Sequence, residues 1–181
     1  MGGPLTVKHE GYESPGLALQ RPGVLPLRMS YPDQIAHVAG LLRRPPLDRA
    51  LVRLVIDQTG VGRPVVDLFR RAGLNPMGVT ITAGDGETRT PEGDYRVAKL
   101  LLVSRLLAAL HEGSLRIAKG LAEARTLAFE LQDFRATVMQ SGYTRFGSRE
   151  GQHDDLVLAV AMGAWYATRG APTVSFYNVP I

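Results

Sequence analysis

The stretch that most restricts the possible folds is ALVRLVIDQTGVGRPVVDLFRRAGL, residues 50–74. Residues 50–57 are rich in leucine and β-branched side chains, which is typical of a buried strand, and QTGVGRP has the composition of a tight turn. A helix is predicted for residues 65–74, closing at Gly73, because glycine readily adopts the left-handed conformation that ends helices. A strand that leads through a short turn into a helix indicates an α/β layered protein.

The rest of the chain continues this alternation. Upstream, SYPDQIAHVAGLLRRPP predicts a helix that is capped by Ser30 and stopped by Pro45 and Pro46. We therefore predict an α/β fold with a mixed or parallel sheet covered by helices. The other predicted elements are extended segments at 17–20 and 24–28, a strand at 77–82, a polar flap-like loop at 83–94, a helix at 95–113, a strand at 115–118, a helix at 121–134, a strand or hairpin edge at 135–147, and a last helix that starts within REGQHDDLVLAV and ends near Thr168.

The length and composition are those of one globular domain. The chain has 181 residues, of which 45% are hydrophobic and 21% charged, and this balance argues against wholesale disorder. We expect residues 1–170 to form a single domain and residues 171–181 to be a C-terminal extension. The sequence contains no cysteine, which excludes disulfides and thiolate metal sites.

Charge and hydropathy restrict the partners. The longest apolar runs are shorter than the roughly 20 residues that span a bilayer, and the start MGGPLTVKHEG lacks the apolar segment of a signal peptide. We therefore expect a cytoplasmic protein with no membrane partner. The net charge of +4 and the pI near 9.7 mildly favour a polyanionic partner such as nucleic acid.

Two groups of carboxylates lie at the ends of predicted elements. Asp57 ends a strand, and Asp154 and Asp155 follow His153 at the start of the apolar last helix. Such residues also serve as turn or helix caps. However, acidic groups held close together repel each other unless a cation neutralises them. These residues suit hard divalent cations such as Mg²⁺ or Mn²⁺, and two ions about 3.5–4 Å apart support phosphodiester hydrolysis.

The glycine turn between the predicted strand and helix does not match a nucleotide-binding motif. Gly60 and Gly62 are followed by neither a Lys-Ser/Thr pair nor a third glycine, so no nucleotide cofactor is expected. Arg63 comes just after the glycine turn and before the predicted helix, and a guanidinium group near a helix start suits a DNA phosphate. The paired arginines elsewhere are predicted to be solvated faces of helices, with a track along DNA as the alternative; they are Arg43, Arg44, Arg70 and Arg71.

Four segments together resemble the C-terminal nuclease domain of the large terminases of tailed phages, the DNA-packaging motors. They are LVIDQTGVGRPVVDLFRRAGL, VTITAGDGETR, YRVAKLLLVSRLLAALHEGSLRIA and REGQHDDLVLAVAMGAWYA, and the resemblance extends over residues 27–168. It implies a ribonuclease H-like fold, with a mixed sheet flanked by helices. It also implies a two-metal endonuclease that uses Mg²⁺ or Mn²⁺ to cut concatemeric double-stranded DNA during packaging.

The resemblance also implies roles for individual residues. Asp57 would be one metal ligand, and the Asp154–Asp155 pair would supply the other, with Asp155 as the first choice. Asp154 and His153 would help to hold the second ion or orient water. Lys99, where the family also tends to carry a lysine, would face phosphate, although a solvated helix position is the alternative.

The sequence departs from the terminase pattern in two ways. Large terminases carry an ATPase domain before the nuclease, and this sequence has none, so we expect an excised domain, a split gene product or a prophage remnant in a bacterial host. The family also places an aspartate on the first strand, whereas the acids among residues 1–30 are Glu10 and Glu13. The first strand is therefore predicted to be atypical or missing, with cleavage impaired or absent unless one of these glutamates substitutes.

The resemblance and these departures leave three alternative functions open. The first is an endonuclease domain acting on double-stranded DNA, with the terminase ATPase domain, the small terminase subunit or the portal as possible further partners. The second is a catalytically silent module that binds DNA or assembles with packaging proteins. The third is a junction resolvase of the same fold.

Overall fold

The computed structural model describes strands Thr6–Lys8 and Gly16–Leu19 and residues 25–169, apart from residues 27, 46, 61, 118–122, 134, 139–143 and 148–154. The elements in chain order are β1 (Thr6–Lys8), β2 (Gly16–Leu19), α1 (Tyr31–Leu42), a 3-10 helix (Leu47–Arg49), β3 (Val55–Asp57), α2 (Gly62–Arg71), β4 (Met77–Thr82), β5 (Glu87–Arg89), β6 (Tyr95–Ala98), α3 (Lys99–His111), β7 (Leu115–Ile117), α4 (Ala124–Asp133), β8 (Arg135–Val138), β9 (Thr144–Gly147) and α5 (Asp155–Ala167).

The central sheet has the strand order β3-β4-β6-β5. β3, β4 and β6 run parallel, and β5 pairs antiparallel with β6 at the edge. In this register Asp57 lies opposite Val79, and Val79 lies opposite Tyr95. Two smaller sheets have the orders β1-β2-β7 and β8-β9. The mixed sheet and its flanking helices confirm the predicted α/β, ribonuclease H-like architecture.

The core lies between the central sheet and the helices α3 and α5, which pack against each other. The α5 sequence DLVLAVAMGAWYA is apolar almost throughout, as expected for a buried helix. Trp165 is 1% exposed and packs edge-on against Tyr95, with ring centroids 5.5 Å apart. The core also includes Val79, Val97, Leu102, Leu106, Val157 and Ala161.

The predicted helix over residues 95–113 was wrong in its first four residues. Tyr95 and Val97 point inward while Arg96 is exposed, and this period of two belongs to a strand. The segment pairs with β4 as β6, and the helix begins only at Lys99. Lys99 is therefore the first residue of α3 and does not lie inside a longer helix as expected.

The predicted polar loop at residues 83–94 also contains a strand. Glu87–Arg89 forms β5, which returns through a tight turn to β6. In that turn the Thr90 amide donates to the Asp94 carbonyl oxygen at 2.8 Å, and Gly93 has φ +90°, a value that glycine adopts without strain. Composition alone hid this strand because all three of its residues are exposed.

Other boundaries moved by a few residues. The strand predicted at residues 50–57 is confined to Val55–Asp57, and α2 starts at Gly62 rather than at residue 65. The extended segment predicted at 24–28 is wrong in its described part, because the Met29 amide donates to the Pro26 carbonyl oxygen and Arg28 has φ +74°. In contrast, Ser30 caps α1 as predicted, accepting from the Asp33 amide at 3.3 Å. Within the described residues, no helix has the length and apolar character needed to span a bilayer.

Candidate metal centre

Asp57 is the exposed last residue of β3, at the C-terminal end of a strand that runs parallel to its neighbour. Its Oδ1 accepts hydrogen bonds from the Thr59 amide at 2.8 Å and the Thr59 hydroxyl at 2.5 Å. The Thr59 hydroxyl oxygen accepts in turn from the Ile81 amide at 2.9 Å, so the adjacent strand fixes the carboxylate indirectly. Among the described residues no hydrogen bond engages Oδ2, which leaves that oxygen available for a ligand.

The glycine turn after Asp57 depends on close packing of the backbone. Gly60 has φ +67°, in the left-handed region that favours glycine. A Cβ at Gly62 would lie 2.8 Å from the carbonyl oxygen of Asp57, so a larger residue there would displace the end of β3. The turn is therefore part of the scaffold that positions the Asp57 carboxylate.

The start of α5 is capped by a residue that the sequence reasoning missed. Glu130, on α4, accepts hydrogen bonds through Oε2 from the Leu156 amide at 3.0 Å and the Val157 amide at 3.1 Å. Amides at the start of a helix lack partners within the helix, and a carboxylate also matches the positive end of the helix dipole. Glu130 therefore performs at least part of the helix capping that is the alternative explanation for Asp154 and Asp155.

The structure describes one residue of the acidic motif. Asp155 is the exposed first residue of α5, and α5 contacts β3, the strand that ends in Asp57. His153, Asp154, Glu10 and Glu13 lie outside the described residues, so their metal-binding roles stay predictions. In the part of the chain that the structure describes, no three histidine or acidic side chains come together as a ligand group.

The two predicted DNA contacts both lie at helix starts. Arg63 is the exposed second residue of α2, immediately after the glycine turn. Lys99 is half-buried at the start of α3, directly after the C-terminal end of β6. A cation at the positive end of a helix dipole is electrostatically unfavourable unless an anion lies nearby.

A second missed feature is the ion pair between Arg70 and Asp94. Arg70 was predicted to be a solvated position, but its Nη2 lies 2.6 Å from Oδ1 of Asp94, whose side chain is 5% exposed. The same Oδ1 accepts from the Gly78 amide at 2.8 Å. The pair thus links the C-terminal end of α2 to β4 and the start of β6.

Comparison with known proteins identifies the fold. No protein-family model and no curated protein matches the sequence. Crystal structures of the large terminase nuclease from thermophilic phage G20c are similar to it, and in two of them cobalt or magnesium is bound. These two have a TM-score of 0.55 and 22% identity over 76% of this chain; a third, whose description mentions no metal, has a TM-score of 0.50 and 18% identity.

The match covers 62% of the chain in the metal-bound nuclease structures and 60% in the third. The present chain thus corresponds to less than two thirds of the nuclease to which it is similar. The shared arrangement of sheet and helices shows that this chain has the fold of a phage large terminase nuclease domain.

Proposed function

We propose that this chain is a divalent-metal-dependent endonuclease domain of a phage or prophage large terminase, which cuts double-stranded DNA during genome packaging. The observation that carries the proposal is the position of Asp57. Its carboxylate is exposed at the C-terminal end of a parallel strand, which is the edge where open α/β sheets usually bind ligands. The fold around it is similar to that of a nuclease whose crystal structures contain bound cobalt or magnesium.

The direction in which α5 runs relative to β3 supports a shared site for Asp57 and Asp155. Near the C-terminal end of α5, the Tyr166 hydroxyl contacts Nε of Arg53 at 3.3 Å, and Arg53 precedes β3. From Tyr166 the helix extends about 16 Å back to Asp155, while the chain advances about 13 Å from Arg53 to Asp57. We infer that the Asp155 end of the helix extends toward the C-terminal end of β3.

The donor chemistry fits a hard divalent cation. Carboxylate oxygens are the protein ligands that Mg²⁺ and Mn²⁺ prefer, with water completing the coordination. Asp57 would bind through Oδ2, since Oδ1 is already occupied by Thr59, and Asp155, Asp154 and His153 would complete the ligand set. When bound, such ions activate water and stabilise the leaving oxygen of a phosphodiester.

The remaining proposed roles concern DNA. Arg63 would contact a backbone phosphate together with the free amides at the start of α2, and Lys99 would do the same at the start of α3. Double-stranded DNA is the proposed substrate. The terminase ATPase domain, the small terminase subunit and the portal are proposed as partners only through the likeness to a terminase nuclease.

The test is cleavage of supercoiled plasmid by the purified chain with Mn²⁺ or Mg²⁺. The variants Asp57→Asn and Asp155→Asn are expected to lower the nicking rate by more than about 100-fold, because each removes a metal ligand. Asp48→Asn is the matched control, since Asp48 lies in the 3-10 helix before β3 and pairs only loosely with Arg49, at 3.9 Å.

Two results would count against the proposed activity. Equal loss in all three variants would contradict the assigned ligands. DNA binding that weakens with salt, without cleavage and unchanged by Asp57→Asn, would favour the catalytically silent binding module instead.

A further inference from the structure

An arginine-lined cleft lies at the start of β4 and β6 and beside Arg53, which precedes β3. Its volume is about 300 Å³, and its walls include Arg53, before β3, and Met77 and Tyr95, the first residues of β4 and β6. Asp57 lies at the other end of β3, about 13 Å along the chain from Arg53. In the sheet register Tyr95 is level with Asp57, two strands away, so the cleft neighbours the candidate metal centre, but Asp57 and Asp155 are not among the described residues that line it.

The cleft carries an excess of positive charge. Among the described residues that line it, four are arginines and two, Glu92 and Asp94, are acidic, so these residues carry a formal charge of +2. The arginines are Arg53, Arg70, Arg89 and Arg169.

Two of these arginines are held in place by other side chains. Arg70 pairs with buried Asp94, and Arg169 lies 3.9 Å above the centre of the Tyr95 ring while pairing with Glu87 at 3.2 Å. A guanidinium group fixed in this way keeps further N–H groups available, because it carries five donors. Such groups lose little conformational entropy when they bind an anion.

The other two arginines lack an acidic partner among the described residues. Arg53 is exposed, and within the described part of the chain its hydrogen bond is the one that it donates to the Tyr166 hydroxyl. Arg89 is exposed at the end of β5, and no carboxylate in the described part of the chain pairs with it. Arginine forks bind carboxylates and phosphates in bidentate fashion, and unpaired forks facing a polar cleft indicate an anionic ligand.

We propose that this cleft binds a phosphate group. A phosphate has three strong acceptor oxygens and up to two negative charges, so it can satisfy donors from several arginines at once, whereas a carboxylate has two oxygens and one charge. Two sources can supply this group, the DNA backbone and a free phosphorylated molecule, and the test below distinguishes them. The proposal does not depend on the endonuclease activity.

The test is isothermal titration calorimetry of the full chain in EDTA, which separates binding here from metal-dependent chemistry. Pyrophosphate and inorganic phosphate are the probes. The double variant Arg53→Gln/Arg89→Gln is expected to weaken pyrophosphate binding by at least about tenfold, because it removes two charged donors. Arg53→Lys/Arg89→Lys should give an intermediate loss, because the charge remains while the fork geometry is lost.

The matched control is Arg43→Gln/Arg44→Gln, which removes the same charge from the exposed end of α1. The proposal is supported if this control binds pyrophosphate and inorganic phosphate as tightly as the unmodified chain does. ATP and a short DNA duplex then distinguish the source, since the true ligand is the one whose affinity falls with the cleft variant. Absence of binding to both probes, an equal loss in the control, or tighter binding of acetate than of phosphate would overturn the proposal.

Discussion

The ion pair between Arg70 and Asp94 provides a sharp test of how the central sheet is held together. Asp94 is almost fully buried and uses one oxygen, Oδ1, to accept from both the Gly78 amide and Arg70. Asp94→Ala removes both hydrogen bonds and leaves a strand amide without its partner. Hydrogen bonds to charged groups contribute about 1.5–3 kcal/mol each. Because Arg70 is one-third exposed and water screens its charge, we expect a combined loss of about 3–4 kcal/mol in the free energy of unfolding.

The variant Asp94→Asn separates the two contributions. Its amide oxygen still accepts from Gly78, but its charge is gone, so we expect a smaller loss of about 1–2 kcal/mol. Asp67→Asn is the matched control, because Asp67 also pairs with Arg70, at 3.5 Å, but with a side chain that is 54% exposed. An exposed pair of this kind contributes less than about 1 kcal/mol.

The assay is urea unfolding followed by the fluorescence of Trp165, the single tryptophan of the chain. The expected order of destabilisation is Asp94→Ala, then Asp94→Asn, then Asp67→Asn. A loss for Asp67→Asn as large as that for Asp94→Ala would refute the reasoning, since it would mean that burial does not set the strength of the interaction.

Three further predictions concern packing, capping and pH. Gly78→Ala should lower the free energy of unfolding by about 1–3 kcal/mol, because the new Cβ would lie 2.5 Å from Oε1 of buried Gln58; Gly86→Ala, with nothing within 4 Å, should change urea stability little. Glu130→Ala should cost about 1–2 kcal/mol by uncapping α5, with Glu130→Gln intermediate, and equal stability of all three proteins in urea would contradict the cap. A hydrogen bond from its own amide, aided by Arg63 and Arg70, lowers the pKa of Glu92; its stabilising contribution should therefore be full above the ordinary glutamate pKa and fade as pH falls through the lowered value. Glu92→Gln should remove that part of the pH dependence of the free energy of unfolding, measured in urea at several pH values. An unchanged pH profile in this variant would exclude a stabilising role of the Glu92 carboxylate.

Much of the fold was predictable where the pattern is local. The strand Met77–Thr82 follows from a β-branched run with sharp ends, and α1 follows from the Ser30 cap and the prolines after it. The strand β6 was not predictable, because Tyr95–Ala98 continues without a break into an apolar helix and its strand state depends on pairing with β4. That pairing joins residues 16 positions apart, which no local pattern reports.

The candidate site divides in the same way. Asp57 was predictable because it ends a recognisable strand. Glu130 was not, because it caps α5 from another helix, 26 residues before Leu156. Arg70 looked like one of several surface arginines, since its buried partner, Asp94, lies 24 residues away along the chain.

The central claim is that Asp57 and Asp155 share one metal site, and paramagnetic broadening by Mn²⁺ tests it most directly. In ¹⁵N spectra of the chain, sub-stoichiometric Mn²⁺ is predicted to broaden the amide signals of Thr59 and Leu156 together, and Asp57→Asn is predicted to abolish both effects. Broadening of only one of the two amides, or of both in the Asp57→Asn variant, would contradict the shared site.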